Sequence, residues 1–196
     1  MDLTSILLSL ALGVGLAAAV GLRVFLPLLL LALGAWSGKI PVTDSFQWLA
    51  TWPAVLTLGI ATIAEIAAYY LPGIDHLLDV IAAPVAVVAG TVAAAAVMTD
   101  LPPLIKWTTA IIAGGGAAGL TQGMSSLIRV KSAATTGGIG NPVVATGELG
   151  GSLLLSLLAI FVPVLALAAV VLFLWIAVRM VRRLLRRGKT AGAAVS

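Results

Sequence analysis

The length of its uncharged apolar runs restricts this chain more than any other feature. From Leu3 to Ser37 the only charged residue is Arg23, and further runs without charge occupy 53–64, 80–98 and 149–178. At about 1.5 Å of rise per residue, the first run alone exceeds what one crossing of a ~30 Å hydrocarbon layer needs. Hydrophobic residues make up 61% of the 196 and charged residues 9%, with a mean hydropathy of +1.19. A soluble domain of this length has too little interior to hide so much apolar surface. The runs are continuous rather than alternating, which excludes a β-barrel. The expected fold is an all-α membrane protein, a polytopic helical bundle.

Read in order, the first run resembles a signal peptide over residues 3–22. Its n-region, however, holds Asp2 and no basic residue, and apolar sequence continues to Trp36, so a retained helix is expected. The chain should bend near Gly21-Leu22-Arg23, helped by Pro27. Gly13, Ala17 and Gly21 form a small-residue face suited to close helix packing. Leu26 to Trp36 is short enough for a tilted span or a re-entrant half-helix. Lys39 to Trp48 reads as a polar loop, with Trp48 and Trp52 as interfacial anchors. A third element is expected from 53 to 71, opened by Pro53 and closed by Pro72-Gly73. A fourth follows from 76 to 98, with Asp75 as N-cap and Pro84 as a bend. A fifth spans Ile105 to Leu127 and carries Gly115, Gly119 and Gly123. The stretch Arg129 to Glu148 is too polar to meet lipid and reads as non-helical backbone held against protein or water. The last helix, 149–178, is interrupted by Pro163. The transmembrane domain is therefore 1–178, followed by a basic tail, 179–196.

Charges inside such a chain are costly, face the bundle interior, and commonly mark ion, proton or substrate pathways. Arg23, Glu65, Arg129 and Glu148 are the candidates here, with Asn141 and Gln122 as polar residues able to line the same path. The alternative is that the arginines snorkel, or that Arg–Glu pairs fix helix register. Glu65 opens a stretch that holds Glu65, Asp75 and Asp79, three of the seven acids, together with the only histidine, His76. Asp75, His76 and Asp79 form a turn motif. Helix electrostatics account for Asp75 and Asp79 without a metal ion, so no metal is expected. No nucleophile–base pattern or phosphate loop appears, and cysteine is absent. Neither an enzyme nor a cofactor is expected. Six of the eleven basic residues fall at Arg179, Arg182, Arg183, Arg186, Arg187 and Lys189. A cluster placed just after an apolar span sets topology and binds anionic lipid headgroups, so the expected partner is the bilayer and not nucleic acid.

The two halves, 1–98 and 103–178, echo each other. Gly13-x3-Ala17-x3-Gly21 leads to Arg23-Val24, and Gly115-x3-Gly119-x3-Gly123 leads to Arg129-Val130. Pro53-x-Val-x-Thr57 leads to Glu65, and Pro142-x-Val-x-Thr146 leads to Glu148. Duplicated folds with broken helices, inverted or parallel, place sites at the repeat interface in many transporters.

On these residues the chain resembles a bacterial integral-membrane family known only as a domain of unknown function. The resemblance is carried by Gly21-Leu22-Arg23 with Pro27, by Glu65 with Leu71-Pro72-Gly73-Ile74-Asp75-His76 and Asp79, and by Pro84. In the second half it rests on the Gly-rich helix, Arg129, Asn141 and Glu148. The family pattern has Asp-Lys where this chain has Tyr69-Tyr70, and a Ser-Pro-Glu-Pro-like stretch in place of Thr135-Thr136-Gly137-Gly138. The resemblance implies the architecture and a bacterial inner membrane; it implies no activity.

Six spans with both termini cytoplasmic is the default topology. Five spans with re-entrant segments near 22–37 and 129–148 would instead put the N-terminus outside. The expected function is a small transporter or channel-like protein. Arg23 and Arg129 would attract an anionic, phosphate-bearing or lipid-headgroup substrate, and Glu65 and Glu148 would couple a proton or cation. The rival is a membrane scaffold whose small-residue faces bind a partner or a second copy, making a homo-oligomer.

Overall fold

The computed structural model describes residues 2–70 and 74–192, with the side chains at 74–80, 177, 178 and 180–192 outside that description. The turn motif Asp75, His76 and Asp79 and the basic side chains beyond Arg179 therefore lie outside the described residues. The helices are α1 (Leu3–Val20), α2 (Phe25–Trp36), α3 (Trp52–Tyr69), α4 (Ile74–Val97), α5 (Pro103–Thr109), α6 (Gly116–Thr136), α7 (Asn141–Phe161) and α8 (Pro163–Gly192). A 3-10 turn, Asp44–Ala50, precedes α3, and a π-helical turn, Ala110–Gly115, joins α5 to α6 without a break. No strand occurs among the described residues. By length and composition, α1, α3 and α7 are each able to cross a membrane, and α2, Ile81–Val97 and Pro163–Ile176 are shorter apolar helices.

Sequence explains most boundaries. Asp2 accepts the Thr4 N–H and caps α1. Thr51 caps α3, with Pro53 in its first turn. Gly137, at φ +64, ends α6 in the left-handed conformation that glycine adopts without penalty. The chain bends at Gly21-Leu22-Arg23, as expected, and Pro27 sits harmlessly in the first turn of α2.

One expectation is corrected. The stretch 129–148 is helical except at 137–140, because α6 continues to Thr136 and α7 begins at Asn141. Its hydroxyls satisfy themselves inside the helix: Thr135 donates to the Lys131 carbonyl at 2.9 Å and Thr136 to the Ser132 carbonyl at 2.7 Å. A run rich in Ser and Thr can thus stay helical by bonding back one turn.

Chain directions follow from close contacts. Gly13 of α1 abuts Ala94 and Met98 of α4, and Gly90 abuts Ala17, so α1 and α4 are antiparallel. Gly114 and Gly119 of the α5–α6 rod meet Ala94 and Val87, which sets α6 antiparallel to α4 and parallel to α1. Gly15 meets Ala159, and Ser152 donates to the Ala19 carbonyl at 3.0 Å, so α7 descends along α1. Trp36 and Trp52 pack with ring centroids 5.4 Å apart and planes tilted by 43° at the far end of the α2–α3 pair. The Thr43 N–H reaches the Ala96 carbonyl at 2.8 Å, bringing the end of α4 to the same place. One end of the bundle therefore carries exposed Trp36, Trp48 and Trp52. The opposite end gathers Arg23, Glu65, Tyr69, Arg129, Asn141 and Glu148.

The core is made of small residues. Leu16 to Val20 and Ala93 to Met98 are almost wholly buried, whereas Ile60, Ile63, Leu104, Leu154 and Phe161 lie exposed on the outside. This inside-out distribution suits a bundle surrounded by lipid, where small interfacial residues let backbones approach. A Cβ at Gly21 would strike the Ala118 carbonyl and Thr121, while one at Gly123 would meet nothing. Gly21→Ala is therefore expected to destabilise the protein by about 1–3 kcal/mol. Gly123→Ala should be neutral or stabilising by up to about 1 kcal/mol, through helix propensity alone. Thermal denaturation of the two variants in detergent reads both; equal shifts would mean that the α1–α6 approach is looser than described.

Candidate functional site

The break after α1 turns Arg23 inward, where it is 1% exposed. Its Nη2 donates to the Ala145 carbonyl of α7 at 2.8 Å and lies 3.6 Å from Glu148 Oε2. Arg129, on α6, donates its Nε to Glu148 Oε1 at 2.9 Å, and its Nη2 pairs with Oε2. Ser125, one turn earlier on α6, donates to the same carboxylate. Glu148 thus receives two guanidiniums and a hydroxyl, all buried. Such bidentate, charge-assisted bonds fix geometry as well as charge.

Tyr69 ties the arginines to α3. The Cζ atoms of Arg23 and Arg129 each lie 4.0 Å from the centroid of its ring. Stacking of this kind holds a guanidinium without using its hydrogen-bond donors. The neighbouring Tyr70 hydroxyl bonds Thr146 Oγ1 at 2.8 Å, and Thr146 donates onward to the Pro142 carbonyl. These contacts pin the end of α3 to the second turn of α7.

Glu65 points elsewhere. Its two oxygens accept the backbone N–H groups of Val24, at 2.8 Å, and Phe25, at 3.0 Å. Val24 stands at the N-cap of α2 and has no capping side chain of its own. The carboxylate from α3 meets amides that a Ser or Asp would ordinarily serve. The two glutamates, which the sequence gives one common role, are thus held in different ways. Glu148 lies two turns inside α7 and is neutralised by arginine, while Glu65 sits at the start of a helix, though another helix than its own.

The remaining candidates divide. Gln122 is buried on α6 in the same stripe as Ser125 and Arg129, one turn deeper. Asn141 is buried at the first position of α7. Thr57 faces outward, away from the cluster. Sequence reasoning missed Tyr69, Ser125, the Ala145 carbonyl and the two α2 amides. Tyr69 lies four residues after Glu65, and Ser125 four before Arg129, so helical spacing from a charged residue was the available signal. The amides left none, because backbone groups carry no sequence signature.

The family described as a domain of unknown function (DUF4126) matches residues 10–183. No curated protein and no solved structure matches the chain.

Proposed function

This chain belongs to the DUF4126 family, and from the geometry of its buried charged cluster we propose that it is a small membrane transporter or channel-like protein passing an oxyanion, phosphate-bearing or carboxylate. One observation carries the reading: two buried arginines converge on a single described carboxylate at the polar end of the bundle. Burying two guanidiniums is expensive, and a structural pair would need only one. Glu148 would hold the arginines in place, Tyr69 would align them, and Glu65 would couple a proton or cation. Gln122 and Asn141 would line the deeper and outer parts of the same path.

In this reading α3, α4, the α5–α6 rod, α7 and α8 cross the membrane. The helix α1 crosses as well, from the tryptophan side to Arg23, and α2, with 12 residues and only about 18 Å long, returns as a short half-helix. The termini then lie on opposite sides, with the C-terminus and its basic tail in the bacterial cytoplasm. The tail would rest on anionic headgroups. Because α1 and α6 run the same way, the two arginine-bearing stretches are offered as parallel rather than inverted units.

The absence of native cysteine supplies the test. Single cysteines at Ser125 and Val144 are expected to react with a membrane-impermeant thiol reagent from the C-terminal side, while one at Ala17 stays protected from both. Protection of all three would leave a dry bundle, the scaffold alternative.

A further inference from the structure

We infer that the start of α2 beside Arg23 is an oxyanion site that Glu65 fills as an internal ligand, and that an incoming oxyanion takes by displacing it. The inference rests on the anion-pathway reading above and names where in the path the anion binds.

The site is built for an oxyanion. The N–H groups of Val24 and Phe25 converge on the two oxygens of one carboxylate, at 2.8 and 3.0 Å. They form the positive end of a 12-residue helix, and a helix start of this kind holds phosphate or carboxylate through amides and dipole together. The residue just before them is Arg23. Among the described residues its Nε and Nη1 are buried without a hydrogen-bond partner, although Nη2 is engaged. Its guanidinium lies over Tyr69, which stands one helical turn from Glu65 on the same side of α3. Unused buried donors are therefore carried by the residue that immediately precedes amides already holding an anion, and leaving such donors unmet is costly.

The present occupant is suited to leaving. Glu65 reaches the site from another helix, across 40 and 41 residues of sequence, so it is no local cap. It is only partly buried, unlike Glu148, and it lacks the arginine clamp that fixes Glu148. A phosphate or carboxylate group offers the same oxygens and can engage Arg23 Nε and Nη1 as well, which the Glu65 side chain does not. The entering anion thus replaces both hydrogen bonds and gains those that Arg23 holds in reserve.

The test measures inorganic phosphate binding to the purified full chain in detergent by calorimetry, at fixed pH and ionic strength. Glu65→Ala, which vacates the amides, is expected to bind phosphate at least about tenfold more tightly than the wild type. Adding Arg23→Gln to that variant should remove the gain. Glu65→Gln, whose amide is a poorer ligand for two N–H groups, should show a smaller gain and serves where the alanine variant does not fold. Repeating the titration with a short-chain phosphatidic acid separates a lipid headgroup from free phosphate; a gain with either supports the site. Affinity unchanged in both Glu65 variants, or a gain that survives Arg23→Gln, overturns it and leaves Glu65 a static cap. Tightened binding together with unlabelled cysteines at 125 and 144 would keep this site and remove the pathway. Labelled cysteines without tightened binding would do the reverse.

Discussion

Replacing Glu148 with leucine is expected to lower stability by about 3–5 kcal/mol, the size of loss seen when one partner of a buried ion pair is removed. The carboxylate is shared by Arg23 and Arg129 and also accepts from Ser125, so leucine would strand two guanidiniums at once. Thermal or denaturant unfolding in a fixed detergent reads the effect. Glu148→Gln should fall nearly as far, since it keeps the shape and removes the charge. The double variant Glu148→Leu with Arg129→Met should recover part of the loss, because one stranded charge goes with its partner. A cost below about 1 kcal/mol for Glu148→Leu would put the cluster in water, where exposed pairs contribute that little.

Arg23→Gln should instead act on transport. Glu148 keeps its clamp from Arg129 in this variant, so folding should largely survive. What disappears is a cation beside the α2 amides and its unengaged donors. Hydrogen bonds to a charged group contribute about 1.5–3 kcal/mol. Anion flux into proteoliposomes should then fall by about 10- to 100-fold. Arg23→Lys keeps charge without the planar fork and should recover only part of the flux. Flux unchanged by Arg23→Gln, in protein that still folds, would remove the anion pathway from this end of the bundle.

Much of the fold was legible because lipid-adapted helices announce themselves by unbroken apolar runs. The break at Gly21-Leu22-Arg23, the start of α3 at Pro53 and the interruption at Pro163 all follow from residues with strong backbone preferences. The stretch from Arg129 to Glu148 misled for a definable reason. Polarity there was read as irregular backbone, whereas Thr135 and Thr136 turn their hydroxyls back onto their own helix. The charged members of the cluster stood out because only 9% of the chain is charged. Their pairing did not, since Arg23 lies 125 positions from Glu148 and no local pattern links them. Tyr69 was hidden for a different reason. An aromatic residue near a helix end reads as an interfacial anchor, and only the fold stacks it against two guanidiniums.

The alanine-rich seam between α1 and α4 bears on which parts of the molecule can move. Gly13 and Ala17 meet Ala94 and Gly90 across it, at residues that have no side-chain rotamers to rearrange and whose backbones lie close together. A contact of that kind has one arrangement, so the seam acts as a stator. The α2–α3 pair is different: it exposes leucines and isoleucines on its outer side, its two helices are joined to each other by the Glu65 carboxylate, and the end of α3 is held to α7 by the Tyr70–Thr146 hydrogen bond. If the chain cycles between two shapes, the rotor is that pair, and its latch is the two tyrosines at the end of α3.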